Sequence, residues 1–176
     1  IIFLSSNEDN WIIRDIMEIR TATIADLAQI AAVEAECFPA AEAATKEEFA
    51  ERIKYYGNHF WLMFEGEKLI AFVDGFVTDK PDLTDEMYER AEMHDENGAW
   101  QMIFGVNTIP AYRKHGYAGQ LLQCAIEDAR KQGRKGLVLT CKEKLIAYYA
   151  KFGFENEGIS ESVHGNVIWY QMRYKF

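Results

Sequence analysis

Apolar positions along the chain switch between helical and strand spacing, and the switches outline most of the fold. Residues 17–20 alternate as an opening strand. Thr23 and Asp26 then form a Thr-x-x-Asp start, followed by Leu27, Ile30, Ala31 and Glu34 on one helical face. Thr45 and Glu48 repeat the device ahead of Phe49, Ile53 and Tyr56, so two helices follow the first strand. Residues 59–64 and 68–77 are aromatic and β-branched runs separated by Glu65, Gly66 and Glu67, which reads as a hairpin. A loop-like acidic stretch interrupts the sheet. Residues 100–108 form another apolar strand, residues 118–131 a helix with Leu121, Leu122, Ala125 and Ile126 inward, and Gly133 a stop. A short buried strand over 137–140, a helix over 144–151 and two strands meeting near residues 161–165 complete the order. This order predicts an α/β (α+β) fold, one domain with a mixed, mostly antiparallel central sheet flanked by helices. Residues 1–16 show no sustained period and read as an N-terminal extension, either a leader or an edge strand, so the domain is expected over 17–176.

Between the strand at 100–108 and the helix at 118–131 lies a turn of small and basic residues: Arg113, Lys114, His115, Gly116, Tyr117, Ala118 and Gly119. The first amides of a helix lack intrahelical partners and carry the positive end of the peptide dipoles, so such a turn is a seat for a diphosphate. The alternative is an ordinary strand-to-helix turn.

Composition narrows the picture further. At 176 residues and 49% hydrophobic, the chain suits one well-packed domain, and no apolar run is long enough to cross a bilayer. Cys37, Cys124 and Cys141 are widely spaced with no Cys-x-x-Cys pair, which predicts reduced thiols, a cytoplasmic setting and no bound metal. A formal charge of −9 argues against nucleic acid as the main partner, and nothing points to a membrane. Acidic residues crowd 79–96, whereas Arg113, Lys114, Arg130, Lys131, Arg134, Lys135, Lys142 and Lys144 gather beside the proposed phosphate seat. One basic pole and one acidic rim suit an anionic cofactor and a cationic acceptor.

The spacing Arg-x-x-Gly-x-Ala at 113–118 resembles the pyrophosphate loop of the GNAT acyl-CoA N-acyltransferase superfamily, and the element order from Met17 to Phe176 is the one that superfamily uses. Residues 140–154, with a Cys ahead of an aromatic Tyr148-Tyr149 pair and a closing Phe152-Gly153-Phe154, are most similar to the arylalkylamine N-acetyltransferase branch. The resemblance implies acetyl-CoA as cosubstrate, a primary amine of a small molecule as acceptor, and direct attack of that amine on the thioester. It places the pantetheine arm against Val106, Asn107 and Thr108, the diphosphate on residues 113–119, and the proton for the departing thiolate on Tyr149. A homodimer remains open.

The chain departs from that branch where a general base is needed. The branch carries paired histidines on the strand before the phosphate loop, and the matching positions here are Met102 and Phe104. An alkylammonium of pKa near 10.4 is neutral in only about one molecule in a few thousand at pH 7, so the proton must go somewhere. Asp74 and His94 are the leading candidates, with Glu34 and Glu36 behind them. Phe38, Pro39, Met102 and Phe104 are expected to bound the acceptor pocket. Two other readings stay open: a non-catalytic module that binds coenzyme A, and an acetyltransferase for peptide or protein amines.

Overall fold

The computed structural model describes residues 17–176; the extension expected over 1–16 lies outside them. In chain order the elements are β1 (Met17–Thr21), α1 (Leu27–Cys37), α2 (Lys46–Tyr56), β2 (Phe60–Glu65), β3 (Lys68–Asp74), β4 (Val77–Thr78), α3 (Asp85–Glu89), β5 (Trp100–Ile103), β6 (Gly105–Thr108), α4 (Tyr117–Lys131), β7 (Gly136–Cys141), α5 (Ile146–Ala150), β8 (Glu155–Ile159) and β9 (Tyr170–Lys175). Both predicted capping boxes are present, at Thr23 with Asp26 and at Thr45 with Glu48, and each satisfies helix-terminal donors that water would otherwise have to reach.

Four strands pair in the order β1-β2-β3-β6 and five in the order β4-β5-β7-β9-β8. Every pairing is antiparallel except that of β5 with β7. The inner strands β2 and β3 of the first sheet are covered on both faces, which explains why they read as nearly continuous apolar runs. On one face Phe60 and Phe72 meet Phe49 and Tyr56 of α2 in stacked and edge contacts. On the other, the Trp61 indole donates to Asp128 of α4 at 2.7 Å, beside the buried stripe Leu121, Leu122, Ala125, Ile126 and Ala129.

Two expected strands turn out to be divided between the sheets. The run 68–77 ends its first strand at Asp74 and resumes as β4 in the second sheet; the run 100–108 breaks at Phe104 into β5 and β6. Hydrophobicity is continuous through both breaks, so it carries no sign of them. The acidic stretch is also more ordered than a loop: it contains α3, and Leu83, Met87 and Ala91 are buried beneath its charged surface.

The break at Phe104 shapes the molecule. Parallel pairing of β5 with β7 stops at Ile103 opposite Leu139, after which β6 follows β3 instead. The two central strands therefore splay apart. The bond from the Ile109 amide to the Ile70 carbonyl sets the alternation along β6, so Asn107 faces Phe72 in a bonded pair while Val106 and Thr108 turn their amides and carbonyls toward the gap.

Candidate active site

Two cavities open from the gap. The larger, about 610 Å³, is lined by Val106 and Thr108 of β6, by Arg113, Lys114 and the first turn of α4, and by Lys142 and Lys144 across the splay. Lys114 and Gly116 both take left-handed conformations, with φ of 67° and 79°, and they turn the chain so that α4 starts facing the groove. A side chain in that region costs roughly 1–2 kcal/mol, a strain that the surrounding loop holds in place. The first intrahelical bond of α4 runs from the Gln120 amide to the Gly116 carbonyl, so the amides of Tyr117, Ala118 and Gly119 point outward without helical acceptors. Free amides, the helix dipole and four basic side chains make this an anion seat. Arg113 also donates to the Thr108 carbonyl at 3.0 Å, tying the loop to the strand.

The smaller cavity, about 360 Å³, lies on the other side of β6. One wall is aromatic. Phe104 meets Tyr88 at 4.8 Å between centroids, Tyr88 stacks on His164 at 5.4 Å with only 9° between planes, and His164 approaches Trp169 at 6.2 Å. The lining is also acidic, with Glu34, Glu42, Glu48, Asp74, Asp85 and Glu89 set against one guanidinium, that of Arg52. The two cavities meet where Phe38, Glu42, Val106, Leu145, Tyr149 and Trp169 line both. Tyr149 is 6% exposed, and burial among Tyr148, Cys141 and Tyr88 pushes its phenol well above the ordinary value.

At the inner end of the smaller cavity sits a buried polar cluster. Glu34, near the end of α1, accepts from the Ala44 amide at 3.1 Å and from the Asn107 side-chain amide at 2.7 Å. Burial, with the Asp74 charge adding to it when ionised, pushes its carboxyl up to about 7. Asp74, at the end of β3, is 1% exposed and accepts from Arg52 at 3.2 Å. Burial raises its carboxyl to about 6 against the opposing pull of Arg52. The Arg52 guanidinium also donates to the Tyr88 carbonyl at 3.0 Å and lies 5.4 Å from the Phe104 ring centroid. Sequence reasoning missed Arg52, Tyr88 and the side-chain role of Asn107, since their partners stand 22 to 73 residues away.

The expected site residues fall into place unevenly. Phe38 and Phe104 line the smaller cavity, as does Asp74. Pro39 lines the larger groove instead, and Met102 is fully buried in the core and lines neither. Val106, Thr108, Arg113, Lys114, Gly116, Tyr117, Ala118 and Gly119 line the groove; the Asn107 side chain turns toward Glu34, and His115 lies against Tyr117 outside the lining. His94 is absent from both linings. It belongs to a separate cluster with His59 and Glu96, whose ligand atoms lie within 4.8 Å of one another. There the His94 Nδ1 accepts from the Val77 amide at 3.1 Å, so its Nε2 carries the proton that it donates to Glu96 at 2.9 Å. Both nitrogens are committed, and burial lowers the imidazole below its usual pKa. No lone pair remains on the neutral His94 ring for a metal ion.

Among the described residues no helix is long and apolar enough to cross a membrane. Comparison with known proteins bears on the same features. The model of the Acetyltransferase (GNAT) family matches residues 27–154. Serotonin N-acetyltransferase of Mesocricetus auratus is 26% identical over 111 residues, covering 62% of this chain and only 52% of that protein, so the match spans about half the relative's length. Among solved structures, the loading GNATL domain of CurA from Lyngbya majuscula superposes with a TM-score of 0.79 at 16% identity, covering 91% of this chain and 98% of that one. A GphF GNAT-like decarboxylase in complex with isobutyryl-CoA superposes with a TM-score of 0.77 at 21% identity, covering 90% and 98%. These structural likenesses are likenesses of fold. With the family model spanning everything from α1 through the turn before β8, the chain belongs to the GNAT acetyltransferase family.

Proposed function

We propose that this enzyme transfers the acetyl group of acetyl-CoA to the primary amine of a small molecule whose body is aromatic or alkyl. The observation that carries the reading is the meeting of the two cavities at Tyr149 and Val106. One cavity has an anion seat at its far end, and the other is lined with carboxylates, so thioester and amine would come together at the shared wall.

The chemistry has three requirements, and the reading assigns a group to each. The diphosphate of the cofactor would rest on the outward amides at 117–119 with Arg113 and Lys114 beside it, and the pantetheine amides would pair with the open edge of β6. The Val106 amide, turned into the gap, would steady the oxyanion that develops when the amine attacks. Tyr149 would give its proton to the departing thiolate. Its phenol stays protonated throughout the physiological range, and the thiolate leaving beside the same apolar wall is itself strengthened as a base by desolvation. The ammonium proton of the acceptor would pass to the carboxyl cluster at the inner end, which replaces the missing histidines of positions 102 and 104. His94, committed elsewhere, has no part in this scheme.

The aromatic wall from Phe104 to Trp169 supports a compact acceptor. Val163, His164 and Trp169, from the segment joining β8 to β9, line the cavity, and its volume of about 360 Å³ favours a compact acceptor over an extended peptide. The test is release of free thiol from acetyl-CoA across a panel of aralkylamines, alkylamines, polyamines and short peptides. Turnover confined to compact amines is the expected result. Thermal stabilisation by coenzyme A with no thiol release from any amine would instead support a binding module.

A further inference from the structure

Where the two cavities meet, the shared wall is apolar or aromatic except at one point. Of the described residues that line both, Glu42 alone carries a charge. Its side chain is 7% exposed. Lys142, just past β7, donates to its Oε1 at 2.9 Å, whereas its Oε2 is buried and has no hydrogen-bond partner among the described residues. A carboxylate oxygen buried without a donor is costly, and the cost falls away when a ligand brings the donor.

The stem of this side chain is fixed, but its end can turn. The His164 Nε2 donates to the Glu42 backbone carbonyl at 2.9 Å, and Gly165 lies so close that a Cβ there would stand 2.6 Å from Glu42 Cγ. The terminal torsion of a glutamate is broad, so a small rotation brings Oε2 to the cavity side while the flexible Lys142 ammonium follows Oε1. The other carboxyls of the smaller cavity are engaged or solvated. Asp74 is the partner of Arg52, and Glu34 accepts from the Ala44 amide and the Asn107 side chain. Glu48 caps α2 through the Thr45 amide, Asp85 holds the Ser162 hydroxyl and the Val163 amide, and Glu89 is exposed. An ammonium that moves from water to the shared wall sheds its hydration beside Phe38, Leu145 and Trp169, which is unfavourable unless an anion replaces the lost water. Glu42 is the anion at that place.

We propose that Glu42 receives the ammonium group of the acceptor: Oε2 accepts an N–H of the incoming cation at the shared wall, and the enzyme there selects amines over uncharged molecules of the same shape. Glu42 is thus a binding and specificity-determining residue, and the proton that the nitrogen gives up before attack follows the route to the inner carboxyls. That the cation is the acetyl acceptor rests on the acetyltransferase reading; that a cation binds at Glu42 does not.

The first arm of the test needs no turnover. Calorimetry at pH 7 on the protein saturated with coenzyme A compares 2-phenylethylamine, a cation, with 2-phenylethanol, its uncharged counterpart. The wild type should bind the amine about tenfold tighter or better, and Glu42→Gln, which keeps the shape and removes the charge, should bind the two within about twofold of each other. Its affinity for coenzyme A should stay near the wild-type value. No preference in the wild type, or a preference that survives in Glu42→Gln, would overturn the proposal. The second arm is thiol release from acetyl-CoA with the amine that the panel selects. Glu42→Gln should raise KM for that amine about tenfold and change kcat less, a split that a general loss of packing would not give. An unchanged KM would overturn the role of Glu42 and leave acetyl transfer standing; charge-selective binding at Glu42 with no thiol release from any amine would sink acetyl transfer and support the role of Glu42. If Glu42→Gln fails to fold, a crystal of the wild-type protein with coenzyme A and 2-phenylethylamine decides the matter: a nitrogen within hydrogen-bonding reach of the Glu42 carboxylate supports the proposal, and a nitrogen seated elsewhere, or no bound amine, overturns it.

Discussion

The cofactor groove and the acceptor cavity share a wall but are built from different material. The groove's anion seat draws on backbone, the open edge of β6, two left-handed residues and the first amides of α4, with Lys142, Lys144 and Tyr148 reaching it from across the splay. The cavity uses side chains gathered from α1, α2, β3, α3, β6, β7 and the segment before β9. A seat built on backbone amides would recognise what a class of cofactors shares, a diphosphate and a chain of amides. A side-chain site recognises what distinguishes one acceptor from another, and its charges depend on burial and on each other.

Variants that act on one region and spare the other put this contrast to work. The largest effect is expected at the shared wall: Tyr149→Phe should lower turnover by about 10²–10⁴-fold while the dissociation constant for coenzyme A, measured by calorimetry, stays close to the wild-type value. Equal losses in both quantities would mean that Tyr149 serves the groove as packing. Next comes the carboxyl cluster, which should betray itself in stability without any ligand. Glu34 has its folded pKa raised from 4.5 to about 7, so its contribution is fully present below about pH 4.5 and is lost as the pH rises through 7. Relative to Glu34→Gln, the wild-type protein should therefore lose on the order of 3 kcal/mol across that window in denaturant titrations. A flat difference would place Glu34 in an ordinary solvated setting. The smallest effect belongs to the groove: Gly116→Ala forces a Cβ onto φ of 79° and should weaken coenzyme A binding about tenfold, leaving the acid limb of the kcat/KM pH profile unmoved.

The same contrast explains what could be read from the amino-acid sequence. The phosphate turn, both capping boxes and the inward stripe of α4 are local patterns, each set by residues within a turn or two of one another, and each was legible. The break at Phe104 was not, because apolar residues continue through it and only the partner strands reveal the change of sheet. Asp74 stood out as a charge in an apolar strand, yet its partner Arg52 sits one helix earlier on a face that reads as amphipathic surface. His94 followed an acidic run and had a convenient pKa, which made it look available; its burial and the Val77 amide that occupies its ring nitrogen exist only in the folded chain. Asn107 was expected to serve the cofactor through its position on β6, and its backbone does lie on that strand. Its side chain points to the opposite face, since neighbours on a strand alternate.

The central claim is that one ligand spans the groove and ends at the shared wall. A crystal structure with coenzyme A bound tests it directly. The expected result is the diphosphate on the amides at 117–119 and the sulfur between Val106 and Tyr149, within hydrogen-bonding reach of the phenol. A diphosphate bound elsewhere, or a sulfur turned away from Tyr149, would contradict it.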